Sequence, residues 1–583
     1  MATKSVTAYD RLRAEVVKVM MKSGVVNTSR QEIEAALERP PGSTGADLAL
    51  PCFFYAKKHK KNPVEMANNI VNKIQKTKLI EKAQAFGPYI NFYADWKMMG
   101  KIVLDQIFRE GPRYGHVPDD KPESIMLEYS SPNTNKPLHL GHLRNDSLGM
   151  ALFKILESRG HKVRKAVLFN DRGVGISKCM LAYKKWGKGS KPGNKKPDHF
   201  VGDFYVMFEK RKTKTMEDEL GNMVKMWEEG DREVRALWDK MVSWVLHGFR
   251  ETYRAFGSKF DTEFRESDYY DKAEDIIKKG LDKRVFTKEH DGAIVADLEK
   301  QKLTKKVIKR SDGTSLYVTT DLALGRHKFE NYKTDRSIWV VGSEQDLYFQ
   351  QLFKIFELLG FKWYKNCIHY SHGLVHLPEG KMKSREGLVV DADDIIDEMG
   401  KLAKTEIRKR EKFISKKELE KRANSVALGA LKYFLLKAEA KKNIQFNPKE
   451  SISFEGDTGP YVQYACARAC SILRKSKKRN LDNFDAKLLT HEKEKMLIRK
   501  LMEFPETVRN AAAYLKPNFV ANYAHELATI FNNFYETVPV LKEDDVNLGH
   551  NDVRMARLAL VKATITVLEN ALYLLNINTP DKM

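Results

Sequence analysis

Apolar positions give the first outline of the chain. Ser124-Ile125-Met126-Leu127-Glu128-Tyr129 is a compact apolar run that predicts a strand, and Leu148, Met150, Leu152, Phe153 and Leu156 recur at helical spacing. Between them lies a Pro/Asn-rich loop, SSPNTNKPLHLGHLRN, from Ser130 to Asn145. Val163 to Phe169 predicts the next strand and runs into the polar turn Asn170-Asp171-Arg172-Gly173. Leu316 to Val318, Ser337 to Gly342 and Cys367 to Tyr370 predict further strands. Strand and helix alternate over residues 116–395, which predicts a doubly wound, mostly parallel α/β sheet of Rossmann type. Ligands of such a sheet bind beyond the carboxyl ends of its strands. Tyr183 to Pro197, with lysines among glycines, reads as a flexible basic loop and opens a polar-helical insertion over about 184–260.

The flanks have different periods. In residues 1–115, Ala14 to Met20 and Ile33 to Leu37 predict helices, and Pro40-Pro41-Gly42 stops the second. Leu48 to Phe53 and Phe86 to Tyr93 predict short strands around an amphipathic helix, Pro63 to Lys76. This is a small α+β module, and Gly111-Pro112-Arg113-Tyr114-Gly115 reads as the linker that ends it. Residues 396–583 predict an all-α bundle. Lys404 to Arg422 reads as one solvated connecting helix. Val520, Tyr523, Leu527, Ile530, Phe531 and Phe534 keep a 3.6-residue period, as does Val553 to Leu575.

Bulk numbers add partners and exclusions. A chain of 583 residues exceeds one hydrophobic core, so two to four domains are expected. A net charge of +24 points to a polyanion, with nucleic acid first and an anionic membrane surface second. Five scattered cysteines argue against a disulfide framework and for a reducing compartment. Cys466 and Cys470 could share a helix face, but two thiols do not complete a zinc site. There is no signal-peptide core in Met1 to Arg30 and no run of about twenty apolar residues, so neither export nor a membrane span is expected. The expected location is the cytoplasm.

The loop and the helix after it have the parts of a nucleotide site. A helix N-terminus offers unpaired N–H groups and partial positive charge to phosphates. Gly141 allows close approach, and His139 and His142 can donate hydrogen bonds. Much later, Gly380-Lys381-Met382-Lys383-Ser384-Arg385-Glu386-Gly387 is a glycine-bounded cationic loop suited to clamping phosphate. In this order the two stretches resemble the HIGH and KMSKS elements of class I aminoacyl-tRNA synthetases. SSPN-x-x-KPLHLGHLRN, Leu316-Tyr317-Val318-Thr319-Thr320-Asp321 and Ser343-Glu344-Gln345-Asp346 narrow the resemblance to arginyl-tRNA synthetases, over nearly the whole chain.

That resemblance implies an arginine-tRNA ligase that uses ATP, with Mg²⁺ carried by the phosphates, and has L-arginine and tRNA(Arg) as partners. It implies that His139, Gly141 and His142 meet ATP, and that Lys381 and Met382, with Ser384 and Arg385, close over pyrophosphate. The loop departs from KMSKS, because Ser384 stands where the second lysine belongs. Lys136, three residues before His139, is the expected substitute, with Lys383 or Arg385 as the alternatives. Glu128, Tyr317 and Asp321 are implied for the arginine side chain, and Ser131, Asn133 and Gln345 for its backbone groups. A carboxylate pair suits a planar guanidinium with five donors. The N-terminal module is implied to touch the outer corner of tRNA, and the bundle to bind the anticodon. Tyr461 and Tyr464 fit base stacking as well as they fit a core, and Met583 is implied to lie nearby. The protein is expected to be a monomer, with activation dependent on tRNA. A non-catalytic tRNA-binding paralogue of a class I synthetase is the alternative.

Overall fold

The computed structural model describes residues 6–24, 28–40, 44–378, 390–477, 481, 483–541, 550–580 and 582–583. At its centre is a five-stranded parallel sheet, ordered Cys367–His372, Arg336–Gly342, Ser124–Glu128, Lys162–Phe169 and Thr262–Arg265. The strand Ser124–Glu128 is central and buried from Ile125 to Glu128, as a near-continuous apolar run in a parallel sheet should be. Its register sets Glu128 beside Trp339 on one side and Ala166 on the other. The helix Leu140–Ser158 crosses this sheet at close range. A Cβ on Gly149 would fall 2.3 Å from Cγ of Tyr129, so the approach requires glycine.

Helices Val174–Trp186, Pro197–Arg211, Lys214–Glu229 and Arg232–Phe256 run between the strands Lys162–Phe169 and Thr262–Arg265, across the stretch where the insertion was expected. The basic loop is shorter than expected. Its first residues are the end of the helix Val174–Trp186, and Lys196 is held by Asp198 at 3.1 Å and Asp393 at 2.6 Å. Beyond the insertion lie the fifth strand and a small antiparallel sheet of Phe286–Lys288, Ile294–Ala296 and Lys306–Lys309, whose strands are too short to leave a pattern in the sequence.

Three other expectations change. Leu316 to Val318 is not a strand. Leu316 caps the helix Tyr317–Glu330, which buries Val318, Leu322 and Leu324, and that burial overrides the β-branched character of the segment. Lys404 to Arg422 is not one helix but the end of Ala392–Arg410 and the start of Lys416–Lys437. Phe86 to Tyr93 is not one strand: Gly87 and Pro88 turn Ile80–Phe86 onto Tyr89–Ala94, while Phe53 already begins the helix Phe53–His59.

Gly111 to Gly115 is a packed corner, not a free linker. It follows the helix Trp96–Glu110, which the apolar pattern had not indicated. Tyr114 is fully buried and donates its hydroxyl to the carbonyl of Leu501, while Asn570 donates to the carbonyls of Gly111 and Tyr114. The C-terminal bundle comprises Gly459–Ser476, Glu492–Ala513, Pro517–Thr537 and His550–Leu574, with Val520, Tyr523, Leu527, Phe531 and Phe534 in its core.

Arg144 ties the sheet to the helices that follow it. Its side chain is fully buried. Nη1 donates to the carbonyls of Gly373 at 2.7 Å and Leu374 at 3.2 Å, and Nη2 to those of Ala440 at 2.9 Å and Lys442 at 2.8 Å. Arg144→Leu leaves these carbonyls without that donor. At about 1 kcal/mol net per bond and ~3 °C per kcal/mol in a domain of this size, the thermal midpoint should fall by about 10 °C. A fall of under about 3 °C in a thermal melt would contradict this.

Candidate functional site

The loop at the carboxyl end of the central strand begins with two non-glycine residues in the left-handed region, Ser130 at φ 78° and Ser131 at φ 45°. Such strain persists only where the surroundings fix it. Asn145 Oδ1 accepts from the Ser130 amide at 2.7 Å, and the Ser130 and Tyr253 hydroxyls share a hydrogen bond of 2.8 Å. Asn145 Nδ2 donates in turn to the Val340 carbonyl on the neighbouring strand. Asn133 pairs as a β-bridge with Asn170, so the loop crosses the end of the adjacent strand as well. The buried Ser131 hydroxyl has no hydrogen-bond partner, and Asn133 is exposed.

His139 is the N-cap of the helix Leu140–Ser158. Its Nδ1 accepts from the Gly141 amide at 3.1 Å, and the Nδ1 of His142 accepts from the His139 amide at 3.1 Å. Each neutral ring therefore carries its proton on Nε2 and keeps one donor for a ligand. Burial, with Lys136 nearby, lowers His139 to about 4. Burial and the neighbours His139, Lys136 and His372 hold His142 well below its ordinary value. A Cβ on Gly141 would stand 3.0 Å from the His139 ring, which explains glycine there. Lys136 is half-buried, its pKa is lowered by burial, and among the described residues no carboxylate pairs with it. The chain also docks on this turn from the far side: Leu140 N donates to the Val390 carbonyl and Ala392 N to that of Leu138, both at 3.0 Å. Lys381, Met382, Lys383, Ser384 and Arg385 lie outside the described residues.

The carboxylates come together across the sheet's edge. Glu128 ends the central strand and is 3% exposed. Tyr317 and Asp321 are the first and fifth residues of the helix Tyr317–Glu330, so they share one face of a helix, where a strand-to-loop segment had been expected. The Tyr348 hydroxyl donates to Asp321 Oδ2. Burial and the charge of Glu128 raise Asp321 to about 6, against the opposing pull of Tyr348, Lys328 and Lys306. Two buried carboxylates that feel each other's charge suit a cation. Tyr317 is exposed on the rim, and Gln345 is exposed on the 3-10 turn Ser343–Gln345 that follows the neighbouring strand.

Comparison with known proteins decides what this site belongs to. The family model described as tRNA synthetases class I (R), catalytic domain, matches residues 103–447, more than half of the chain. The arginyl tRNA synthetase N terminal domain matches 10–94, and the DALR anticodon binding domain matches 462–583. The arginine–tRNA ligase of Treponema denticola is 43% identical over 92% of this chain and 93% of its own. That of Bacteroides fragilis is 40% identical over 96% of this chain and 98% of its own. The chain belongs to the arginyl-tRNA synthetase family. Among solved structures, the Thermus thermophilus arginyl-tRNA synthetase matches with a TM-score of 0.77 and 25% identity, covering 98% of this chain and 100% of that one. The Plasmodium falciparum arginyl-tRNA synthetase has the same fold, with a TM-score of 0.79.

Tyr464, in the region matched by the anticodon domain, and Tyr461, one residue before that region, are half-buried on the helix Gly459–Ser476. The Tyr461 hydroxyl accepts from Asn532 Nδ2 at 3.1 Å, and the Tyr464 ring lies 4.9 Å from the Arg468 guanidinium. Met583 packs partly against the core. No helix of the described residues is long and apolar enough to cross a membrane.

The sequence had not indicated Lys328 and Tyr348, which reach Glu128 and Asp321 through the tertiary fold, nor Glu266, which burial raises to about 8 beside Arg172 and Asp321. Breaking the buried Glu128–Lys328 pair from one side should cost about 3–5 kcal/mol. The geometry also fixes the protonation of His139. Its folded-state value lies below the ordinary 6.5, so the unfolded chain takes up the proton first, and its contribution to stability is lost as pH falls from 6.5 toward 4. Nitrogen-15 NMR of the imidazoles should find His139 neutral, with its proton on Nε2, down to pH of about 5. A titration between pH 6 and 7 would contradict the assignment.

Proposed function

We propose that the chain activates L-arginine with ATP to arginyl-adenylate and transfers the arginyl group to the 3′ end of tRNA(Arg), releasing pyrophosphate and AMP. The observation that carries this reading is the convergence of Glu128 and Asp321 at the same end of the sheet as the HLGH turn. A guanidinium stays charged and presents donors in a plane, so two carboxylates satisfy its charge and its geometry together. A neutral side chain there would leave buried charge unpaired, which rejects it strongly without an editing site.

In the first step an oxygen of the substrate carboxylate attacks the α-phosphorus of ATP, and the bond to pyrophosphate breaks. The protein supplies position and charge rather than a nucleophile. The Nε2–H groups of His139 and His142 and the helix N-terminus donate to phosphate oxygens, and Gly141 leaves room for the nucleotide. Neutral imidazoles suit this task, because they hold the nucleotide without fixing a full charge on it. Lys136 supplies the cation that Ser384 does not, and Lys381 and Arg385 join it on the pyrophosphate side. Mg²⁺ comes with the phosphates and is held chiefly by them and by water. The nearby Asp393 is already engaged by Lys196 and His199. Glu128, Asp321 and Tyr317 hold the arginine side chain, and Ser131, Asn133 and Gln345 hold its amine and carboxylate. The orphaned hydroxyl of Ser131 supports its share in this. In the second step a terminal ribose hydroxyl attacks the adenylate carbonyl and AMP leaves.

The division of labour along the chain follows. Residues 1–115 touch the outer corner of the tRNA, 116–395 carry the chemistry with an insertion over about 184–260 near the acceptor end, and 396–583 bind the anticodon. Tyr461, Tyr464 and Met583 lie at that end, and the basic surface neutralises phosphates. The protein works as a cytoplasmic monomer.

Aminoacylation of total tRNA with each of the twenty amino acids tests this. Only arginine should be charged. Asp321→Ala should lower kcat/KM for arginine by about 10³-fold or more, since it leaves a buried charge site half-built. Lys136→Ala should lower kcat at least ~10-fold through lost phosphate stabilisation. ATP–pyrophosphate exchange should need tRNA. Charging of another amino acid would overturn the substrate. An active Lys136→Ala would move the clamp to Lys383 or Arg385. Binding of tRNA without charging would favour a non-catalytic paralogue.

A further inference from the structure

Lys328 lies on the helix Tyr317–Glu330, seven residues after Asp321 and so on the same face. Its side chain has no exposed surface. Its Nζ donates to Glu128 Oε2 at 2.6 Å. Trp339, the cross-strand partner of Glu128, sets its ring 4.5 Å from the same ammonium, and Phe264 adds a second ring at 5.8 Å. Two aromatic faces and one carboxylate hold the cation in place. An ion pair this deep seldom repays its desolvation as stability, and an apolar pair of similar volume would serve the core as well. The charge therefore calls for another reason, and its partner is a carboxylate of the arginine pocket.

We propose that Lys328 is the counter-charge that sets the specificity of the arginine pocket: it occupies Oε2 of Glu128, leaves Oε1 to the guanidinium, and brings the buried group of Glu128, Asp321 and Lys328 itself to one net negative charge. The proposal rests on the arginine reading above. Two carboxylates and one ammonium leave a single negative charge, which one guanidinium neutralises. Without Lys328, two carboxylates would face one substrate cation, and the excess charge would be relieved by a proton on Asp321. Other groups face this pair from every side. The Tyr348 hydroxyl and Lys306 approach Asp321, the Glu266 carboxyl acts on it from its own turn, and the Cys367 thiol faces Lys328. The Lys306 ammonium lies over the Tyr348 ring, and among the described residues Lys328 is the cation bonded to Glu128, so the balance on that carboxylate depends on Lys328. The ammonium also fixes the rotamer of Glu128. Lys328 is thus a positioning residue, which acts on the substrate through Glu128.

Steady-state aminoacylation by the full-length protein with tRNA tests this, with KM measured separately for arginine and ATP and with a pH profile. Lys328→Met should raise KM for arginine by about 30-fold or more and leave KM for ATP within about twofold, because only the amino-acid pocket loses its balance. The acid limb of kcat/KM for arginine, set by Asp321 near pH 6, should move up, since a cation that favours the carboxylate is gone. Lys328→Arg should restore arginine KM and the pH profile. A second comparison does not need Lys328→Met to fold. Glu128→Gln leaves a pocket with no net charge, whereas Glu128→Gln with Lys328→Met returns it to one negative charge, so the double variant should have the lower KM for arginine. The proposal is overturned if Lys328→Met changes neither arginine KM nor the pH profile, or if the double variant is no better than Glu128→Gln. If the wild type charges arginine while the variants behave in those ways, the counter-charge alone fails. If the wild type charges no arginine, the functional reading fails with it.

Discussion

The buried guanidinium of Arg144 is the constraint on which the rest of the site depends. It sits in the helix that opens with the HLGH turn and donates only to backbone carbonyls, two just beyond the last strand of the sheet and two ahead of the bundle helices. A charged donor in a buried position needs acceptors, and carbonyls accept without bringing an opposite charge. The segments therefore have to converge on this one residue. The backbone pairing of Leu138 and Leu140 with Ala392 and Val390 then closes the turn from the other side. The HLGH turn is thus fixed at the point where the sheet meets the helices.

Two electrostatic regimes stand side by side at the sheet's edge. At the HLGH turn burial keeps both imidazoles neutral, so phosphates meet donors, a helix N-terminus and the nearby Lys136. At the ends of the central strand and the helix Tyr317–Glu330, burial makes charge costly and pairing necessary: Glu128, Asp321 and Lys328 lie in surroundings where an unpaired ion is expensive. One region suits an anionic ligand and the other a cation. The strained corner at Ser130 and Ser131 sits between them and points the loop across the strand ends.

Much of this was legible in the sequence. The central strands announce themselves as apolar runs because a parallel sheet is buried on both faces, and the HLGH stretch and Glu128 fall where its carboxyl edge must be. Asp321 was named as a candidate, but on the wrong element. Leu316-Tyr317-Val318-Thr319-Thr320 has the composition of a strand, and the helix exists because the sheet face can bury Val318 and Leu322. The strand Ile80–Phe86 stayed hidden because only Ile80 is buried in it. Lys328 and Tyr348 left no trace, since a lysine in a charged helix and a tyrosine in an aromatic run gain meaning only through partners distant in sequence.

The central claim is that a charge-balanced carboxylate pair selects a guanidinium beside a nucleotide turn. Titration of the protein with non-hydrolysable sulfamoyl analogues of arginyl- and lysyl-adenylate tests it most directly. These ligands share the nucleotide and the side-chain charge and differ in the shape of the cation. The account predicts that the arginyl analogue binds at least ~100-fold more tightly than the lysyl one, the discrimination expected when a planar, two-carboxylate site loses its matching donors. Equal affinity for the two would contradict it, because the site would then be reading charge alone.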